Sequence, residues 1–189
     1  MKEKDKWESR YDTADYIHGL RPAEDLYSNR GLLPRSGTAL DIASGEGQNA
    51  VFLAQTGLEV FALDFSILAL KKCLSLADEE GCLVQAAAVD LENFAIPQSM
   101  FDVIINFNYL QRGLAGSIIR GLKPGGLLIF ETLTQYNLKW RPDFNPDFLL
   151  SSGELIEMFA GLHLIKYREA TIGQETKPRS VASLIARKL

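Results

Sequence analysis

The sequence predicts an α/β protein built on a doubly wound, seven-stranded sheet, mostly parallel with an antiparallel last strand. Three observations carry that expectation. Short apolar, β-rich runs alternate with segments of helical spacing from Thr38 to Thr132, an order that pairs strands in parallel through crossovers. The first such run, in ALDIASGEGQNAVFLA (Ala39–Ala54), enters a helix through a glycine turn. The last two runs, Leu162–Ala170 and Val181–Arg187, have no helix between them, so they pair antiparallel.

Each element has a local reason. Lys2–Arg10 starts a short polar helix with Trp7 and Tyr11 on its apolar side. Pro22 opens a second helix through about Leu33, since proline suits a first helical turn. Pro34–Gly37 breaks the chain, and Thr38–Ile42 is the first strand. A helix over Gln48–Gln55 stops at Gly57, as a C-terminal cap does. Glu59–Leu63 is the second strand, and Ser66 caps a helix reaching about Glu80, with Ile67, Leu70, Leu74 and Ala77 at helical spacing. Cys82–Val89 and Phe101–Asn106 are the third and fourth strands, joined by a loop holding Pro97. The fourth, FDVIIN, is apolar enough to be covered on both faces. Leu110–Leu122 is helical and closes at Lys123-Pro124-Gly125-Gly126, before a fifth strand, Leu127–Thr132. Leu133–Pro146 is irregular, and a helix over Ser152–Phe159 precedes the final two strands.

The chain divides into an N-terminal helical lid segment, residues 1–36, and a core domain, residues 37–189. Of its 189 residues, 47% are hydrophobic and 23% charged, the balance of one ordinary globular domain. A net charge of −4 argues against a general nucleic-acid binder, which needs a basic face. The start MKEKDKWESRYD lacks the apolar stretch of a signal peptide, and no run reaches the roughly 20 apolar residues of a membrane span. The expected compartment is therefore the cytoplasm. Cys73 and Cys82 are too few for a disulfide framework, and no His, Cys and carboxylate set has metal-ligand spacing.

Ligands of doubly wound sheets bind beyond the carboxyl ends of the strands, where strand order reverses. That edge collects Ala43, Ser44, Gly45 and Gly47 after the first strand, Asp64 and Phe65 after the second, Asp90 and Leu91 after the third, and Asn106–Tyr109 after the fourth. Gly45 and Gly47 let the backbone turn sharply and let a ligand approach it. Asp64 is placed to accept from both hydroxyls of a ribose. Asp90 is placed to accept from an adenine amino group while Leu91 covers the ring. The turn formally satisfies the dinucleotide fingerprint G-x-G-x-x-A. NAD and S-adenosylmethionine are thus both candidates, but little chain follows Gly126 to seat a nicotinamide and its substrate.

These residues resemble the class I S-adenosylmethionine-dependent methyltransferases, a Rossmann-like family, over nearly the whole chain. Asp41, Gly45 and Gly47 match its acidic residue followed by alternate glycines, with Ala43 in place of the first glycine. That replacement narrows the turn by one methyl group. The resemblance assigns Asp64 to the ribose, Asp90 to the adenine side, and Leu122–Gly126 to the family's LKPGG turn. It implies S-adenosylmethionine as cofactor and methyl transfer by in-line displacement. WESRY and Gly-Gln-Asn-Ala-Val-Phe-Leu-Ala further resemble small bacterial tellurite-resistance-type methyltransferases, with Gln48 in place of an arginine.

The expected partner is a small-molecule methyl acceptor, with neither nucleic acid nor membrane involved. Asn106-Phe107-Asn108-Tyr109 has the outline of the Asn-Pro-Pro-Tyr motif of amino-methylating enzymes, but both prolines are missing. Asn106 is expected at the methionine amine and Tyr109 at the acceptor. Tyr16 and His18, in the lid, are the other catalytic candidates, whereas His163 lies away from the site. A binding protein without catalysis and an NAD-linked oxidoreductase are the alternatives. Neither the acceptor's identity nor the oligomeric state is written in the sequence.

Overall fold

The computed structural model describes the backbone of residues 3–189 and side chains from residue 5 onward, so Lys2 of the expected first helix lies outside it. In chain order the elements are α1 (Glu3–Tyr11), α2 (Glu24–Ser28), β1 (Thr38–Ile42), α3 (Gln48–Gln55), β2 (Glu59–Asp64), α4 (Ile67–Glu79), β3 (Val84–Ala88), β4 (Phe101–Phe107), α5 (Ala115–Gly121), β5 (Leu122–Leu133), α6 (Glu154–Met158), β6 (His163–Gln174) and β7 (Lys177–Arg187). The strands form one seven-stranded sheet in the order β3-β2-β1-β4-β5-β7-β6. β1 through β5 pair in parallel, and β7 runs antiparallel to both its neighbours.

Strand alternation sorts the core into two layers. Leu40, Ile42, Ile104, Leu128 and Phe130 share one face with Ile118 of α5 and with Leu155 and Phe159. Ala39, Val103, Ile105, Leu127 and Ile129 share the other with Leu26 of α2, Leu53 of α3 and Leu76 of α4. Val103, Ile104 and Ile105 are fully buried, as a central strand covered on both faces requires. β1 and β4 are adjacent although β2 and β3 intervene in sequence, which makes their carboxyl ends the point where strand order reverses.

Several elements differ from the sequence expectation, among them β5, which takes in Leu122–Gly126 where a helix end and a turn were expected. The second helix is a single turn, Glu24–Ser28, followed by a 3-10 turn at Arg30–Leu32, because Asn29 ends the first and Gly31 weakens continuation. The helix after β4 begins as a 3-10 turn at Arg112–Leu114. The last two strands are longer than their apolar stretches and meet at Gln174–Lys177 as an extended hairpin. β6 is exposed along most of its length, so hydrophobic alternation does not mark its outer half.

Within residues 5–36 the structure distinguishes two parts. Leu26 is fully buried in the core, and Asp25 pairs with Arg168 of β6 at 3.1 Å. By contrast, Asp12–Asp15 and Ile17–Leu20 are exposed and lie across the carboxyl ends of the first strands through polar bonds described below. His163, at the start of β6, is exposed and pairs in register with Arg187.

Candidate functional site

The turn from β1 into α3 is built from alternating left-handed residues: Ala43 at φ 53°, Gly45 at φ 55° and Gly47 at φ 87°. The two glycines adopt this backbone without penalty, whereas Ala43 does so at a cost of about 1–2 kcal/mol. Ser44 N–H donates to the Leu63 carbonyl at 2.9 Å, which ties the turn to β2. The two glycines answer different needs. A Cβ on Gly47 would sit 2.3 Å from Cys73 Sγ, so this glycine lets α4 pack on the turn. A Cβ on Gly45 would meet only the Tyr11 hydroxyl, at 3.1 Å. The ordered backbone at Gly45 therefore looks outward, toward a side chain of α1.

Asp64 ends β2 buried beside this turn. One carboxylate oxygen accepts Gly45 N–H at 2.8 Å and the other Ser66 N–H at 2.9 Å. A carboxylate offers about four lone-pair sites, so each oxygen keeps further accepting capacity. Burial raises its pKa, opposed by the backbone N–H groups of Ser66, Gly45 and Phe65. Ser66 caps α4 as expected, its hydroxyl accepting Ala69 N–H at 3.1 Å. Phe65, between them, is half-buried.

Asp41 lies beneath the turn. It is almost fully buried, and one carboxylate oxygen has no partner. Burial holds its carboxyl well above the ordinary value of 3.8; the Asp64 charge adds to this, and a bond from Ala50 N–H opposes it. Below that raised value the folded protein keeps a proton that the unfolded chain has released above 3.8. The stability contributed by this group is therefore full below the ordinary value and lost as pH rises through the raised one. Asp41→Asn is expected to remove that slope, so urea midpoints of the variant measured from about pH 4 to 7 fall less steeply with pH than those of the parent.

Around the tips of the neighbouring strands the other expected residues fall as follows. Asp90 is exposed and accepts Glu92 N–H at 3.1 Å and the Asn93 amide at 2.8 Å, whereas Leu91 is buried. Asn106 is buried, its amide donating to the Tyr109 carbonyl at 2.8 Å. Tyr109 is half-buried, and burial raises its pKa to about 12, with Glu92, Asp90 and Asp64 adding to the shift. Its phenol is thus a proton donor at neutral pH. Asp64, Asp90 and Tyr109 share one edge of the sheet. Tyr16 is turned to α4, its hydroxyl donating to the Lys72 carbonyl at 3.2 Å.

The N-terminal segment closes over this edge with rings. Trp7 stacks on Tyr11 at 5.8 Å between centroids, and the His18 ring lies 6.3 Å from Trp7 and 6.2 Å from Tyr11. Desolvation lowers the His18 pKa, with Arg10 and Arg179 lowering it further and Glu46 opposing. A histidine shifted down is neutral at pH 7 and able to take a proton.

Several contributors escaped sequence reasoning. Glu8 of α1 accepts Ile67 N–H at 3.0 Å and the Ser66 hydroxyl at 2.7 Å, placing a negative charge at the N-terminus of α4. Glu46, between the two glycines, is fully buried and holds residues 17 and 18. Asn49 holds Ala23 N–H at 2.8 Å. The one sequence signal was a charged residue inside a tight glycine turn.

At this turn several groups are left for a ligand to engage. Ser44 Oγ is buried without a partner in the turn, Asp64 has accepting capacity to spare, and Gly45 is open apart from one phenol. No group of three or more His, Cys, Asp or Glu that could hold a metal ion occurs among the described residues. No helix among them is long and apolar enough to cross a membrane.

Comparison with known proteins bears on the same edge. Residues 39–126 match the methyltransferase domain family, a span running from β1 into β5. Hemagglutinin 1 of Eikenella corrodens is 29% identical over 168 residues, covering 83% of this chain and 55% of that protein. The chain spans about half the length of the curated relatives it matches, 55% of one and 46% of another. Among solved structures, TehB from Haemophilus influenzae superposes with a TM-score of 0.74 at 17% identity, covering 98% of this chain and 67% of that one. An S-adenosylmethionine-dependent methyltransferase from Mesorhizobium loti gives 0.71 at 17% identity, covering 90% and 100%. At these identities the structures speak to the fold.

Proposed function

We propose that this chain, whose residues 39–126 match the methyltransferase domain family, transfers a methyl group from S-adenosylmethionine to a small-molecule acceptor. One observation carries the reading: a buried carboxylate, Asp64, held against Gly45 N–H at the point of strand reversal, with lone pairs to spare. In this reading Asp64 takes the ribose hydroxyls and Asp90 the adenine amino group. Phe65 and Leu91 border the ring. Ala43, Ser44, Gly45 and Gly47 face the methionine portion, with Asp41 bracing the turn from below and Asn106 near the amine.

When bound, S-adenosylmethionine supplies an electrophilic methyl carbon whose sulfonium charge is lost on transfer. The protein's part is alignment and exclusion of water, worth several kcal/mol where the geometry is close to that of attack. Residues 5–23 serve as a lid: Trp7, Tyr11 and His18 cover the turn, and the exposed stretch between them opens for exchange. The core proper then begins with α2, whose Leu26 is buried. Tyr109 keeps its proton and donates to the acceptor, while neutral His18 takes a proton from acceptors that carry one.

Titration calorimetry tests the cofactor. S-adenosylhomocysteine is expected to bind in the micromolar range, about −8 kcal/mol, with NAD silent. A screen of thiols, amines, carboxylates and oxyanions, read as S-adenosylhomocysteine formed, then identifies the acceptor. Tight NAD binding with silence toward S-adenosylhomocysteine overturns the reading.

A further inference from the structure

We propose that Glu46 is a positioning residue that latches residues 15–18 to the ligand turn, so that filling the turn and closing the N-terminal segment are coupled. The proposal rests on the reading above, that this turn holds S-adenosylmethionine. Glu46 is fully buried although it carries a carboxylate, a placement sustained only by paired and hydrogen-bonded groups. Its oxygens accept Ile17 N–H at 3.2 Å and His18 N–H at 3.1 Å, and Lys72 of α4 lies 2.9 Å away. Lys72 extends the latch, its ammonium donating to the Asp15 carbonyl at 2.7 Å while its own carbonyl accepts the Tyr16 hydroxyl. Four consecutive residues are thus held by one carboxylate and one lysine.

Beyond Tyr16, which packs against the core, and the His18 ring beside Trp7 and Tyr11, the segment has little else to hold it. Asp12–Asp15 and Ile17–Leu20 are exposed, and only Tyr16 is half-buried. Such stretches, poor in apolar contacts, sit at the low end of local stability. The backbone of Glu46 is flanked by Gly45 and Gly47, both left-handed, and Gly45 N–H is bonded to Asp64. One residue therefore has its main chain in the ligand turn and its side chain in the lid. His18 N–H on Glu46 sets the His18 ring against Tyr11, whose hydroxyl stands over Gly45. Closed, the segment covers the turn, so ligand exchange requires the latch to release. By linkage, whatever factor the ligand gives to closure, closure returns to ligand affinity.

Trp7 reports on the lid, and the chain has only two tryptophans, so Trp140→Phe leaves a single reporter. In that parent, saturating S-adenosylhomocysteine is expected to lower acrylamide quenching of Trp7 by about twofold or more, and Glu46→Ala to abolish the protection while weakening binding about five- to fiftyfold. Glu46→Gln, which keeps one accepting oxygen, is expected to restore part of the protection at a comparable urea midpoint. Should Glu46→Ala unfold, Lys72→Met cuts the same latch from α4, with the same loss expected. Undiminished protection in the folded variants overturns the proposal. So does a parent that binds the ligand with no change at Trp7, an outcome that leaves the methyl-transfer reading standing. A parent that binds no S-adenosylhomocysteine overturns that reading, and the latch with it.

Discussion

Gly47→Ala is expected to destabilise the protein by about 2–5 kcal/mol, the sum of overpacking and left-handed backbone strain. Both contributions have a visible source. At φ 87° the backbone is in a region that side chains rarely adopt, and the new methyl would lie 2.3 Å from Cys73 Sγ and 2.9 Å from the Cys73 Cα. The Cα belongs to a helix that is itself packed in the core, since Cys73 is fully buried. Relief thus requires α4 to move away from the turn. Gly45→Ala is the control, because it shares the backbone strain but meets only a phenol oxygen at 3.1 Å, so a loss of about 1–2 kcal/mol is expected. Urea denaturation of both variants decides the matter. Equal midpoints for the two would mean that the helix, and not the methyl, gives way.

This contrast also shows which parts of the molecule were legible beforehand. The bounds of β1 and α3 agree with the sequence expectation residue for residue, because proline and glycine punctuate both ends and the strand is mostly apolar, with Asp41 its one charged residue. The Ser66 cap was legible because a hydroxyl three residues before a backbone donor is a local device. Local rules also placed Asp64, Asp90 and Tyr109 on one edge. They could not divide the labour between Gly45 and Gly47, since Cys73 reaches Gly47 from another element. Nor could they find Glu8 or Glu46, whose partners lie 58 to 60 and 26 to 29 residues away. The outer hairpin was missed for a different reason. Exposed on both sides and carrying Gly173 and Pro178, it lacks the alternation that marks a half-buried strand.

Long-range polar bonds therefore do at the site what apolar packing does in the core. Glu8 reaches α4, Glu46 reaches the lid and Asn49 reaches Ala23, each from an element whose own structure does not need the bond. Such contacts fix the position of an exposed segment without burying it. In the proposed function they suit a lid that opens and closes over the cofactor.

Asp64→Ala is expected to weaken S-adenosylhomocysteine binding about ten- to hundredfold, roughly 1.4–2.7 kcal/mol, through loss of one or two charge-assisted hydrogen bonds. The structure sharpens that expectation. Asp64 accepts Gly45 N–H and Ser66 N–H, so alanine also leaves two backbone donors without their acceptor. Asp64→Asn separates the effects, since its carbonyl oxygen retains one of these bonds while the charge is gone, and an intermediate affinity is expected. The pH dependence supplies an independent signature. In the proposed site ribose hydroxyls donate to the ionised carboxylate, so protonation competes with binding, and burial has raised the pKa at which it sets in. Affinity of the parent should therefore fall as pH drops through that raised value, and the fall should be shallower in Asp64→Asn. Calorimetry at several pH values measures both. Unchanged affinity in a folded Asp64→Ala protein would remove the ribose from this carboxylate and leave the turn without the contact on which the methyl-donor assignment rests.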